Sequence, residues 1–138
     1  MSTIVNNSLK LLLNLAKAQV IISRRFDRLN MHGIGFSDFA LLYLLHQAPG
    51  GKLRRIDLAE QTGLTASAVT RMLAPLEKIG LVARESNEMD GRIAYAVLTK
   101  TGKELFANAL ETANATARDI ISNEKAKNLK PLIDLLGN

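Results

Sequence analysis

The sequence predicts a mainly α-helical fold with a small β-wing, and three observations predict it. Apolar residues recur three and four positions apart over residues 8–30, 36–48, 56–62, 65–79 and 101–122, the spacing of a helix with one buried face. A glycine turn at Gly63 joins two of the shorter helical patterns. Directly after them, two β-rich runs, 81–85 and 92–98, flank a charged turn containing Asp90-Gly91, a hairpin signal.

The 138 residues suit one compact subunit, with 47% hydrophobic and 22% charged residues. Cysteine is absent, which excludes a disulfide framework, a Cys-based zinc site and thiol redox sensing. No run is long and apolar enough for a membrane span. The N-terminal segment lacks a basic region ahead of its apolar run, and Asn14 and Lys17 interrupt that run, so it is a poor signal peptide. A cytoplasmic protein is expected, and Asn6 and Asn114 are discounted as glycosylation acceptors.

Residues 8–30 read as one long helix. Leu9, Leu12, Leu13, Ala16, Val20, Ile21 and Leu29 form a broad stripe, which Leu11, Leu15, Ile22 and Phe26 widen further. A helix apolar over most of its circumference is covered on several sides, and in a chain this short a second subunit is the expected cover. The segment His32-Gly33-Ile34-Gly35 breaks the helix. Ser37 then reads as an N-cap with Asp38 in the first turn, and Phe36 and Leu41 as a hydrophobic staple. That helix is expected to end near Ala48, ahead of Pro49-Gly50-Gly51. Lys52-Leu53-Arg54 reads as a short extended strand.

Residues 56–62 form the next helix, with Leu58 and Ala59 inward, and Gly63 ends it. Thr65 caps its successor, with Leu64 and Val69 as a staple. Ala59, Gly63 and Val69 satisfy a helix-turn-helix: a small residue where the helices touch, a glycine at the turn, and a branched residue locking the second helix on the first. The second helix runs to Ile79 with Pro75 inside it, which predicts a bend or loosened turn near residues 71–75. After the hairpin, Thr99 or Thr101 caps a further helix, with Thr101 and Glu104 as a capping box. Its apolar face is Leu105, Phe106, Leu110 and Ile120. In the tail, Asn128 is read as the cap of a last helix with Pro131 in its first turn. The apolar tail residues Leu129, Leu132, Ile133, Leu135 and Leu136 call for docking on the first helix or on a partner. The architecture expected is therefore a winged helix-turn-helix, residues 37–100, flanked by helical dimerisation parts, 1–36 and 101–138.

Net charge is +5, which favours a polyanionic partner. Its distribution tempers that reading. Residues 1–36 carry +4, residues 37–100 only +1, and residues 101–138 balance. A nucleic-acid argument must rest on where the cations point. Ser67, Thr70 and Arg71 share the outer face of the second helix. The hydroxyls allow close approach to base edges or phosphates, and Arg71 can fork onto a guanine or a phosphate. Arg92 suits a narrow, A·T-rich minor groove, or else pairs across the hairpin with Glu85. Arg84 is a further wing candidate, and Arg54, Arg55 and Lys100 are candidate phosphate contacts or plain surface charges. Tyr43 and His46 share a helix face and either line a polar-edged ligand cavity or form a pair at the core edge. His32 has no partner at metal-ligand spacing, and with two histidines and no cysteine no metal site is expected. No nucleophile elbow, zincin motif, P-loop or dinucleotide fingerprint occurs, so an enzyme is not expected and no cofactor is called for. The rival reading is a winged-helix protein–protein adaptor, for which the near-neutral charge of residues 37–100 argues.

The order of elements, the segment DLAEQTGLTASAVTRMLAPLEKIGLV, and above all Asp90-Gly91-Arg92 followed by Leu98-Thr99 and Gly102 resemble the MarR family of bacterial transcription regulators. The resemblance covers nearly the whole chain. It implies a homodimer built from the terminal helices, carrying two winged helices onto a palindromic operator in double-stranded DNA. It places Ser67, Thr70 and Arg71 at recognition-helix positions, Arg92 in the minor groove, and Asp90 as the partner that orients Arg92. It also implies a repressor released by a small, often phenolic, aromatic effector.

Overall fold

The computed structural model describes residues 3–136, so the outermost residues of the two predicted terminal parts lie outside it. It is a mainly helical chain with one small antiparallel sheet, a winged helix-turn-helix carried between long terminal helices. Six α-helices occur among the described residues: α1 (Asn7–Arg25), α2 (Phe36–Gln47), α3 (Arg55–Thr62), α4 (Ala66–Lys78), α5 (Lys100–Ile120) and α6 (Asn123–Leu136). Three strands, β1 (Lys52–Arg54), β2 (Val82–Ser86) and β3 (Ala94–Leu98), form a sheet in the order β1-β3-β2. The register pairs Leu53 with Ala96 and Arg84 with Ala96 from the other side, so β3 is the central strand.

The predicted helix over 8–30 is two elements. Asn6 caps α1 by accepting the Leu9 N–H at 2.8 Å, and the α-helix gives way at Phe26 to a 3-10 helix, Phe26–His32. The tighter winding carries Phe26 and Leu29 into the core, where Phe26 stacks on Phe36 with ring centroids 4.2 Å apart. Phe26, Leu29 and Ile34 thus belong to the core of the winged helix. Gly33, in the left-handed region at φ 79°, ends the 3-10 helix.

Helix α2 starts two residues earlier than the Ser37 cap predicts. Gly35 is the N-cap, and the Asp38 carboxylate accepts its backbone N–H at 2.9 Å. A carboxylate three residues into the helix can satisfy the cap from the inside, so no capping hydroxyl is needed. The staple positions then fall on Ile34 and Phe39, both buried, instead of Phe36 and Leu41.

The helix-turn-helix matches its reading. Ala59 and Val69 are buried, Gly63 holds φ 73° at the turn, and the Thr65 hydroxyl accepts the Ala68 N–H at 3.1 Å. Helix α4 runs unbroken through Pro75 and ends at Gly80 in the left-handed region. Its buried side, Val69, Leu73 and Leu76, joins Leu41, Leu42, Leu45, Leu58 and Phe106 in one core. Each such side chain contributes roughly 1.5–3 kcal/mol by leaving water.

Helix α5 is capped by Thr99, not Thr101. The Thr99 hydroxyl accepts the Gly102 N–H at 3.0 Å and faces the carbonyls of Gly80, at 2.7 Å, and Leu81, at 3.0 Å. Gly102 is required there, because a Cβ at that position would lie 2.1 Å from the Leu81 carbonyl oxygen. Further along, the weakly apolar middle of α5 proves to be its packing side. Ala109, Ala113 and Thr116 are buried, and small side chains let the 3-10 helix approach closely. His32 Nε2 and the Thr112 hydroxyl share a hydrogen bond at 2.7 Å across that seam, and Arg28 pairs with Asp119 at 3.2 Å. The last helix starts at Asn123, with the Ser122 hydroxyl accepting the Lys125 N–H at 3.3 Å, so Asn128 is not its cap and Pro131 lies inside it.

Candidate nucleic-acid interface

Helix α4 is anchored by its buried side and leaves the opposite side in solvent. Ser67, Thr70 and Arg71 are all exposed on that outer face. Three to four residues make one turn, so these side chains rise together from the first two turns of the helix. Among the described residues Arg71 has no carboxylate within salt-bridge distance, which leaves its guanidinium uncommitted.

The wing is a longer loop than the Asp-Gly signal predicts. Seven residues, 87–93, connect β2 to β3, and Gly91 does not adopt the positive φ that a two-residue primed turn demands. Asn87 organises the loop instead. Its side-chain oxygen accepts the Met89 and Asp90 N–H groups at 2.8 and 3.0 Å, an Asx turn, and its amide donates to the Tyr95 hydroxyl at 3.4 Å. The Asp90 carboxylate then accepts the Arg92 backbone N–H at 3.0 Å and both Nε and Nη2 of the Arg92 guanidinium at 3.1 Å. These bonds from Arg92 hold the Asp90 carboxyl below the usual carboxylate range. The Arg92 side chain is 91% exposed, so the fork steadies the cation without covering it.

The cross-hairpin alternative for Arg92 does not occur. Glu85 pairs instead with Lys52 of β1 at 3.0 Å, and the Lys52 ammonium also sits 5.0 Å from the Tyr95 ring centroid. Glu85 raises the Lys52 pKa, first through that hydrogen bond and then through its charge. This cluster spans all three strands and braces the base of the wing. Arg84 is exposed on β2 and, like Arg71, has no ion-pair partner among the described residues.

The three candidate phosphate contacts fare differently. Lys100 is exposed at the start of α5. Arg54 is exposed but forked onto Asp57, at 3.0 and 3.3 Å, one turn into α3. Arg55 is not the surface cation expected. Its side chain is only 16% exposed, and it is directed at Glu77 of α4. Sequence reading missed this pair because 22 residues separate its members.

Between α1 and the winged helix lies a cavity of about 580 Å³, lined by Leu15 and Ile22 of α1, Phe36, Ala40 and Tyr43 of α2, and Met72 of α4, among others. Tyr43 and His46 do not line it together. Tyr43 is on its wall, with its hydroxyl accepting from Gln47 at 3.0 Å, but His46 is not among its lining residues; both rings meet Phe106 at the core edge, His46 stacked at 4.7 Å and Tyr43 tilted at 6.5 Å. Among the described residues no cluster of His, Cys, Asp or Glu is arranged to hold a metal ion, and no helix is long and apolar enough to cross a membrane.

The sequence profile of the MarR family matches residues 37–94. The uncharacterised HTH-type transcriptional regulator YdgJ of Bacillus subtilis is 32% identical over 104 residues, which are 75% of this chain and 62% of that protein, so the chain spans less than two thirds of that relative. The HTH-type transcriptional repressor Rv2887 of Mycobacterium tuberculosis is 29% identical over 109 residues, 77% of each. A mutant MarR from E. coli, solved with operator DNA, superposes with a TM-score of 0.83 at 19% identity, covering 98% of this chain and 99% of that one. At that identity the superposition establishes the fold alone.

Proposed function

We propose that the chain is a MarR-family protein and a sequence-specific, dimeric DNA-binding transcription regulator that represses its target. The observation that carries this reading is the division of α4 into a buried face and an exposed face bearing Ser67, Thr70 and an uncommitted Arg71. In this reading the first two turns of α4 enter the major groove. Arg71 forks onto a base edge or phosphate, and the hydroxyls of Ser67 and Thr70 make the closer contacts. The wing reaches the adjacent minor groove, where Arg92, steadied by Asp90, meets the concentrated negative potential of A·T-rich sequence. Arg84 and Lys100 neutralise phosphates, with Arg54 adding to the field while it holds Asp57.

Two copies joined through α1 and α6 would present two such surfaces to a palindromic operator, as two-fold symmetry requires. The exposed apolar residues of both helices support this assembly. The cavity beside α1 supports release by a small aromatic effector, since its volume is that of a drug-sized ligand site and its lining is mostly apolar, with the Tyr43 hydroxyl at one edge. A ligand there would wedge between α1 and the winged helix and so alter the angle at which a dimer offers its α4 helices.

The test is fluorescence anisotropy of the full chain with the duplex from upstream of its own coding region. Binding should weaken on the order of 1000-fold between 50 and 200 mM salt if a dimer neutralises about six phosphates. Absence of salt-sensitive binding at 50 mM would remove the DNA reading and leave the adaptor.

A further inference from the structure

We infer that Arg55 is a positioning residue that makes the Thr70 hydroxyl a hydrogen-bond donor to the major groove. The chain should then prefer, at the base Thr70 faces, an acceptor edge such as guanine or thymine over an exocyclic amino group. This rests on the proposal that the outer face of α4 reads DNA.

The geometry is a staple between the two helices of the helix-turn-helix. Arg55 opens α3, and its guanidinium donates through Nη2 to Glu77 Oε1 in the last turn of α4 and through Nη1 to Thr70 Oγ1 at 3.4 Å. Thr70 and Glu77 are seven residues apart, two helical turns, so one planar fork spans a single face of α4. A guanidinium has only donors. In this contact the Thr70 oxygen is therefore the acceptor, and its proton points elsewhere.

That proton has no competing partner within the helix. Two other helical threonines turn their hydroxyls back onto their own helix: Thr62 donates to the Leu58 carbonyl at 2.7 Å and Thr116 to the Thr112 carbonyl at 2.8 Å. Thr70 makes no such bond and stands exposed on the outer face. Its one donor is left directed to solvent. The Arg55 Nε is buried without a partner, so the Glu77 and Thr70 contacts alone orient the group. The nearby positive charge further favours an acceptor over an amino group opposite Thr70.

The experiment selects bound sequences from a pool of duplexes with about 20 randomised base pairs, using the full chain and its Thr70→Val, Thr70→Ser, Arg55→Met and double Thr70→Val/Arg55→Met variants, each checked for folding by thermal unfolding. Thr70→Val and Arg55→Met should relax preference at the same base pair by roughly three- to tenfold, the span of one hydrogen bond. The double variant should relax it no further, and Thr70→Ser should retain it. Should Arg55→Met fail to fold, Arg55→Lys takes its place, since an ammonium cannot span Glu77 and Thr70 together. The inference is overturned if the Arg55 variant weakens all sequences equally while keeping the preference, or if the two substitutions act on different base pairs or additively. A parent chain that enriches no sequence instead overturns the DNA reading itself, a separate and recognisable outcome.

Discussion

Helices α1 and α4 make an instructive pair. Helix α4 has 13 residues and buries Val69, Leu73 and Leu76. Helix α1 has 19 residues and a broader apolar stripe, yet buries none, and the same holds for α6. Leu12, Leu13 and Val20 are each more than half exposed. Hydropathy states that a side chain gains by leaving water, but not whose atoms will cover it. In the winged helix the cover is the chain itself. At the ends the cover is absent from a single copy, and contiguous apolar surface of that kind marks an association site. Charge runs against expectation in the same way: residues 1–36 carry +4 and the winged helix only +1. The reading surface depends on a few directed cations, not on a basic patch.

Substitutions can press on this contrast, starting where the effect is largest. Leu73→Ala, in the shared core, should lower stability by about 2–5 kcal/mol in urea unfolding, whereas Leu13→Ala at equal protein concentration should do far less in a dilute, dissociated sample. If both cost the same, the ends are as self-sufficient as the middle and the contrast fails. Leu12→Glu together with Val20→Glu should weaken dimerisation at least roughly 100-fold, about 2.7 kcal/mol, in sedimentation equilibrium while leaving the circular dichroism of the folded chain intact. A parent chain that sediments as a monomer at micromolar concentration would sink the dimer altogether. Gly102→Ala should cost about 1–3 kcal/mol, since the new methyl must push the Leu81 carbonyl away; a neutral result in thermal unfolding would mean that α5 shifts freely. Arg71→Ala should cost about 1–3 kcal/mol of duplex affinity and relax preference at one base position if the contact is to a base, while Arg54→Ala, already forked onto Asp57, should change affinity less and without sequence bias.

The smallest effect is a titration. Arg92 stabilises the ionised Asp90, so the folded chain takes up this proton at lower pH than the unfolded chain. The contribution is complete above the ordinary aspartate value, about 3.9, and is lost as pH falls through the lowered one. The wing loop should therefore look the same by NMR across neutral and mildly acidic pH. An Asp90 carboxyl that titrates at or above the ordinary value would show that the Arg92 fork does not persist in solution.

What the sequence made legible was local. The Thr65 cap, the Gly63 turn and the Ala59–Val69 lock involve residues within about three turns of each other, and each was readable from spacing. The sheet and wing were readable because β-rich runs flanked a turn. Misreadings came where another group took over an expected job. Asp38 caps α2 from inside the helix, so Ser37 was not needed. Thr99 outcompetes Thr101 because it also reaches the Gly80 and Leu81 carbonyls, 19 and 18 residues back. Arg55 and Glu77, and Lys52 and Glu85, are pairs that only the folded chain brings together. The small residues of α5 looked weakly apolar because composition does not reveal how near another backbone will come. In the candidate interface, exposure of Ser67, Thr70, Arg71, Arg84 and Arg92 agreed with expectation, while that of Arg55 did not, and His46 took the core-edge alternative, stacked on Phe106.

The junction at Thr99 bears on how relatives of this chain can be recombined. One hydroxyl ties the exit of α4, the return of β3 and the start of α5, and Gly102 closes the knot by having no side chain. A wing transplanted between its two strand ends would arrive without the partners that hold its base, Lys52 and the Gly80 and Leu81 carbonyls. The natural cut points for a chimera lie outside Gly80 and Gly102, with β1 travelling along. Within those cuts the wing and the end of the reading helix are a single transferable part, inherited together or not at all.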